Sequence, residues 1–285
     1  MAADSLVPGA ADPLLVAVHG ETDTWEDLEP LVRRHCQFGG FTWTPQRPDL
    51  DVVAVERLEL RFHAAGDALL DEGAPPLQWS SRPFLHILIL RCDDAKAYKD
   101  SVFERTRAWV AARTDARQEL LLVHVQRQAP RQASSFGFTG ASSGATAHRK
   151  MLEKLRTELK LEARSITSFD LSASPNGDEG HRADSQQLGA LIREGVMAAV
   201  DARRGEYKAA ASADAIASGR ADLGSVFLAR DALAALFLSL GAPRQAEQQL
   251  AHFQTLLDSA PSGGTAGAGK PYTLHPTLFT PHPKP

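Results

Sequence analysis

Pro83-Phe84-Leu85-His86-Ile87-Leu88-Ile89-Leu90 is an aromatic and β-branched run without a formal charge, the pattern of a strand covered on both faces. Asp93-Asp94 follow it as N-cap candidates, because a carboxylate there accepts from free backbone N–H groups and suits the positive end of a helix. Tyr98, Val102 and Trp109, with Phe103 beside them, fall close to a 3.6-residue stripe, so the helix they define should lie on the sheet. Leu120-Leu121-Leu122-Val123-His124-Val125 supplies the next buried strand. Strand, helix, strand in this order predicts parallel pairing through a crossover.

Working outward, Leu14-Leu15-Val16-Ala17-Val18 reads as a strand ending at His19-Gly20, with a helix from the Thr22-Asp23-Thr24-Trp25 region to about Arg34. Pro45 and Pro48 mark a loop, and the alternation from Val53 to Phe62 predicts one half-buried strand. Downstream, the Gly-, Ser-, Ala- and Gln-rich stretch at about 127–146 is expected to be a mobile loop. Met151, Leu152, Leu155 and Leu159 then predict a helix, Ala163 to Asp170 a strand, and Leu188, Leu191, Ile192, Val196 and Val200 a further helix. The fold class is therefore α/β: a mostly parallel sheet with crossover helices, Rossmann-like but without a nucleotide motif, over residues 14–210.

A different pattern follows at 222–260. Val226, Phe227, Leu228, Leu233, Leu236, Phe237 and Leu240, a Gly241-Ala242-Pro243 turn, then Ala246, Leu250, Phe253, Leu256 and Leu257 predict an antiparallel helical hairpin of tetratricopeptide-like type, the start of an α-solenoid. One such unit cannot bury both apolar faces alone, so it should dock on the α/β domain or continue into more helices. Residues 1–13 and the Gly- and Pro-rich tail 261–285 are expected to be disordered.

The 285 residues carry a net charge of −4, which offers no general attraction to phosphate backbones or anionic lipid and argues against a nucleic-acid protein. Two cysteines, Cys36 and Cys92, build neither a disulfide framework nor a closed zinc site, and point to a reducing cytosol. The start lacks a secretory pattern and no apolar run reaches the ~20 residues of a membrane helix, so membrane contact is expected to be peripheral or indirect.

Three motifs invite a chemical reading. Gly140-Ala141-Ser142-Ser143-Gly144 matches G-x-S-x-G, but the strand before it ends near Val125, so the turn that should hold a nucleophile is missing. A serine hydrolase using Ser142, with His252 as base, is the alternative of a different class; a fluorophosphonate probe that labels wild type and spares Ser142→Ala would establish it. Gly264 to Lys270 imitates a phosphate loop, yet Pro271 stands where Ser or Thr should hold magnesium. Asp93-Asp94 at a strand's carboxyl end could hold a metal, though helix capping explains the pair. His19-Gly20 is read as turn chemistry. No catalytic, cofactor-binding or metal residue is assigned. A further possibility is a degenerate small-GTPase-like domain that binds no nucleotide.

The order Pro83-Phe84-Leu85-His86-Ile87, Cys92-Asp93-Asp94, Tyr98-Lys99, Trp109 and Leu120 to Val125 resembles the N-terminal region of the large TRAPP II subunit family (trafficking protein particle complex subunit 10). Phe41-Thr42-Trp43, Val55 to Phe62, Arg230 to Phe237 and Glu247 to Leu250 extend the likeness over roughly residues 14–258. The resemblance implies a non-catalytic subunit, or fragment, of the TRAPP II tethering and Rab nucleotide-exchange complex. It implies other TRAPP subunits, including small core subunits, as partners and a Rab GTPase reached through the complex. It also implies a cytoplasmic protein peripherally associated with trans-Golgi membranes and acting in vesicle-mediated transport.

Overall fold

The computed structural model describes residues 12–36, 38–45, 52–70, 81–91, 98, 102–126, 141–171, 181–212 and 222–259. Strands β1 (Leu14–Gly20), β4 (Leu60–Ala64), β5 (Leu85–Arg91), β6 (Leu120–Gln126) and β7 (Ile166–Asp170) form one sheet in the order β4-β1-β5-β6-β7. Every pairing in it is parallel, with Val16 opposite Leu85, Ile87 opposite Leu121 and Leu122 opposite Ile166. The expected crossover unit is thus present: β5 and β6 are neighbours, and helix α2 (Phe103–Asp115) lies between them in the chain.

The pleat sorts the side chains. Leu85, Ile87 and Ile89 join the core beneath helices α1 (Thr22–His35) and α4 (Arg182–Ala210). Leu88 and Leu90 join Tyr98, Val102, Trp109 and Val110 on the other side, together with Met151 and Leu155 of α3 (Ala141–Leu159). Helices on both faces explain why β5 and β6 read as continuous apolar runs instead of alternating ones.

Three expectations need correction. The stretch from Val53 to Phe62 is two strands: β3 (Val53–Val55) pairs antiparallel with β2 (Phe41–Trp43), whereas β4 joins the main sheet beside β1. Exposed Glu56 and Arg57 carry the chain from one sheet to the other, and the Leu14 amide bonds the Glu59 carbonyl at 2.9 Å where it arrives. Val53, Val55, Leu58 and Leu60 all reach the same core, so one alternating pattern serves both sheets. The loop expected at 127–146 ends earlier, because α3 begins at Ala141; Ala141, Ala145 and Ala147 are strong helix formers that extend the helix backwards past Gly144. The strand expected from Ala163 begins at Ile166, after a 3₁₀ turn over Ala163–Ser165.

Helix α4 is anchored at its far end by Arg203, which donates to the carbonyls of Arg82 and Pro83 and stacks 3.7 Å from the Phe84 ring centroid. Beside it, fully buried Arg204 pairs with Asp201 at 3.1 Å and lies over Trp43 of β2. Helices α5 (Leu223–Ser239) and α6 (Pro243–Ser259) form a hairpin through Gly241, whose φ of +64° suits a residue without a side chain. Asp222 caps α5 by accepting from the Ser225 amide at 2.6 Å. The hairpin docks on the α/β layer: Leu233, Leu236, Phe237 and Leu240 share one core with Val16, Ile87 and Val196. The N-terminal residues 1–11, residues 127–140 of the expected loop and the tail 260–285 lie outside the described residues.

Candidate functional site

The sheet order reverses direction between β1 and β5, and a crevice outside the carboxyl ends of such strands is where open α/β sheets place ligands. A cavity of about 710 Å³ lies there, lined by His19, Asp23, Arg91, Arg105, Thr106 and Trp109 among others. Its geometry starts from Gly20, the last residue of β1. That glycine has φ +87°, and a Cβ on it would stand 2.3 Å from the Ile89 carbonyl oxygen, so β1 turns away hard against β5. Helix α1 begins two residues later at Thr22, with Glu21 as an N-cap whose side chain makes no capping hydrogen bond.

A phosphate cradle requires a run of successive backbone N–H groups between strand and helix. Here a single residue separates β1 from α1, and it is an acid, with Asp23 following in the first helical turn. The turn reading of His19-Gly20 therefore describes the geometry.

Under the crevice, His19 Nε2 and His86 Nδ1 are 3.1 Å apart, one donating and the other accepting. The Trp109 ring meets His19 edge-on at 5.2 Å between centroids. Burial, reinforced by the charges of Arg113, His19 and Arg203, pushes His86 down from its ordinary value to about 3, which keeps it neutral at physiological pH. The neutral His86 imidazole, bonded to His19, can fix a tautomer and hold α2 in register on the sheet. Among the described residues, the hydroxyls lining the crevice belong to Thr22 and Thr106, and neither serine nor cysteine lines it.

Ser142 lies in the first turn of α3, and His252 is exposed on α6. Gly140, Asp93-Asp94 and Gly264 to Lys270 lie outside the described residues. Among the described residues no group of three or more His, Cys, Asp and Glu could hold a metal ion, and no helix is long and apolar enough to cross a membrane.

The second candidate is a surface. Helix α5 is apolar around its circumference: Val226, Leu233, Leu236 and Phe237 are buried, while Phe227, Leu228 and Leu238 remain 41%, 52% and 50% exposed. Leu250 of α6 is 48% exposed, and the Phe227 and Phe253 rings meet across the hairpin at 5.1 Å. Apolar side chains left outside a docked hairpin offer area to a protein partner.

Sequence reasoning did not find the His19–His86 pair. Each histidine looked solitary, yet both fall in strands expected to be buried, and a histidine there must find a partner.

Comparison with known proteins gives a family. The model described as "Trafficking protein particle complex subunit 10-like, N-terminal" matches residues 10–212. A curated relative, trafficking protein particle complex subunit 10 of Dictyostelium discoideum, is 22% identical over 112 residues, which is 39% of this chain and 8% of that protein.

Proposed function

Because the chain belongs to the family of trafficking protein particle complex subunit 10-like N-terminal domains, we propose that it is a non-catalytic assembly module of a TRAPP complex. The family match over residues 10–212 carries this reading, and the apolar flank of the α5–α6 hairpin supports it. In this reading the complex is TRAPP II, the partners are other TRAPP subunits including small core subunits, and a Rab GTPase is served through the assembly at the late Golgi. The α/β domain, residues 14–210, acts as the platform, and the hairpin at 222–260 is the first tetratricopeptide-like unit of an α-solenoid. The β1–α1 turn, short and acidic, supports a domain that has the layout of a nucleotide-binding fold and uses it as scaffold.

The test is reconstitution. The full chain is mixed with each purified small core TRAPP subunit and run on a sizing column with light scattering. A stable co-eluting species, weakened by charge substitution at Phe227 and Leu228, is the expected result. A folded chain that elutes alone beside every core subunit at micromolar concentration would overturn the assembly reading.

A further inference from the structure

Away from the crevice, the C-terminal end of α1 meets the first third of α4 and leaves a recess of about 480 Å³ lined by Arg34, His35, Arg182, Gln186, Ala190 and Arg193, with Cys36 and Gly189 at the seam. Among the described residues, three arginines and a histidine line it and no carboxylate does, on a chain whose net charge is −4. The described lining thus carries a sign opposite to that of the whole molecule.

The seam is a close fit. Cys36 Sγ donates to the Ser185 carbonyl at 2.9 Å, and Gly189 brings α4 so near that any side chain there would strike the thiol. Arg193 lies 5.1 Å over the Phe41 ring, which holds its guanidinium at the rim. Arg34 and His35 sit in the last turn of α1, where the helix dipole favours cations. Arg182 is the opposite case: as the first residue of α4 it stands where the dipole disfavours a cation. The nearby first-turn acid, Asp184, has its carboxylate accepting from the Asp170 amide at 3.3 Å. Like charges converging on one hollow, one of them against a helix dipole, are favoured when an anion joins them.

We propose that this recess binds a phosphomonoester-bearing headgroup, either free in solution or presented by a lipid. Its volume exceeds the space of one phosphate and falls within the roughly 300–1,000 Å³ of small-molecule pockets, which favours a ring carrying more than one phosphate. Guanidinium groups suit such a ligand because their planar forks bond phosphate oxygens two at a time. The hairpin reaches α4 at its other end, where Arg230 donates to the Ala211 carbonyl.

The experiment is calorimetric titration of the full chain with inositol trisphosphate, using wild type, an Arg182→Gln/Arg193→Gln double variant and Ala190→Glu, each checked by thermal melting. Wild type should bind saturably, more weakly as salt rises, and each lost arginine should cost about tenfold in affinity. Ala190→Glu, which adds a carboxylate to the recess and keeps every arginine, should remove binding. Sedimentation with phosphatidylcholine vesicles, with and without phosphatidylinositol bisphosphate, separates the two sources. Lipid-dependent pelleting that the double variant loses identifies a lipid headgroup, and binding of the soluble probe alone identifies a free one. Absence of saturable binding by wild type at low salt, or folded variants that bind as tightly as wild type, would overturn the proposal.

Discussion

Gly189→Ala places a methyl group at the tightest contact between α1 and α4. The new Cβ would stand 2.1 Å from Cys36 Sγ and 2.7 Å from Cys36 Cβ, and the thiol cannot swing aside without leaving the Ser185 carbonyl. In an open helix this substitution stabilises by about 1 kcal/mol. Overpacking a fitted contact costs about 1–3 kcal/mol, and an approach of 2.1 Å belongs to the upper part of that range, so after the helix gain the net expectation is a destabilisation of about 1–2 kcal/mol. At about 2–4 °C per kcal/mol for a chain of this size class, the melting temperature should fall by about 2–8 °C. Gly195→Ala is the control, because its Cβ meets only the tip of the Leu85 side chain, at 2.8 Å from Cδ1, and that tip can turn. It should therefore cost less than Gly189→Ala. Adding Cys36→Ala to Gly189→Ala removes the closer of the two contacts and should restore part of the loss, measured against Cys36→Ala alone in a double-mutant cycle by urea unfolding. A Gly189→Ala protein that melts at or above wild type, or a cycle without coupling, would refute the claim that this glycine exists to admit the thiol.

Arg204→Met should lower the unfolding free energy by about 3–5 kcal/mol, because it leaves the Asp201 carboxylate, only 10% exposed, without its ion partner. Asp201→Asn in that background should recover part of the loss, and urea midpoints of the two variants check both statements. His86 gives a pH dependence. Its folded value of about 3 lies below the unfolded 6.5, so the unfolded chain takes up the proton first as pH falls. The contribution is fully present above pH 6.5 and disappears between about 6.5 and 3, by up to about 1.4 kcal/mol per pH unit. His86→Leu should flatten the slope of unfolding free energy over that window, and equal slopes in variant and wild type would contradict the assignment.

The β5–α2–β6 unit was legible because burial on both faces writes an uninterrupted apolar run, and because Tyr98, Val102 and Trp109 keep helical spacing against it. The Val53 to Phe62 stretch was not, since period-two alternation states which face a residue buries and says nothing about which sheet it joins. The hairpin was legible as two helices joined by a short turn, and its need of a surface followed from its two apolar faces. The surface it takes is α4, which long-range packing decides. The crevice and the recess escaped for a common reason. Residues 19 and 86 in one, and 34–36 and 182–193 in the other, are brought together by topology, so no local spacing announces either.

Because Leu233, Leu236, Phe237 and Leu240 finish the same interior that begins under β1 and β5, the family boundary at residue 212 cuts through a folding unit instead of between two. A truncation there would leave an oily flank on α4 facing water. It also means that a neighbour gripping α5 and α6 pulls on the central sheet through packed side chains.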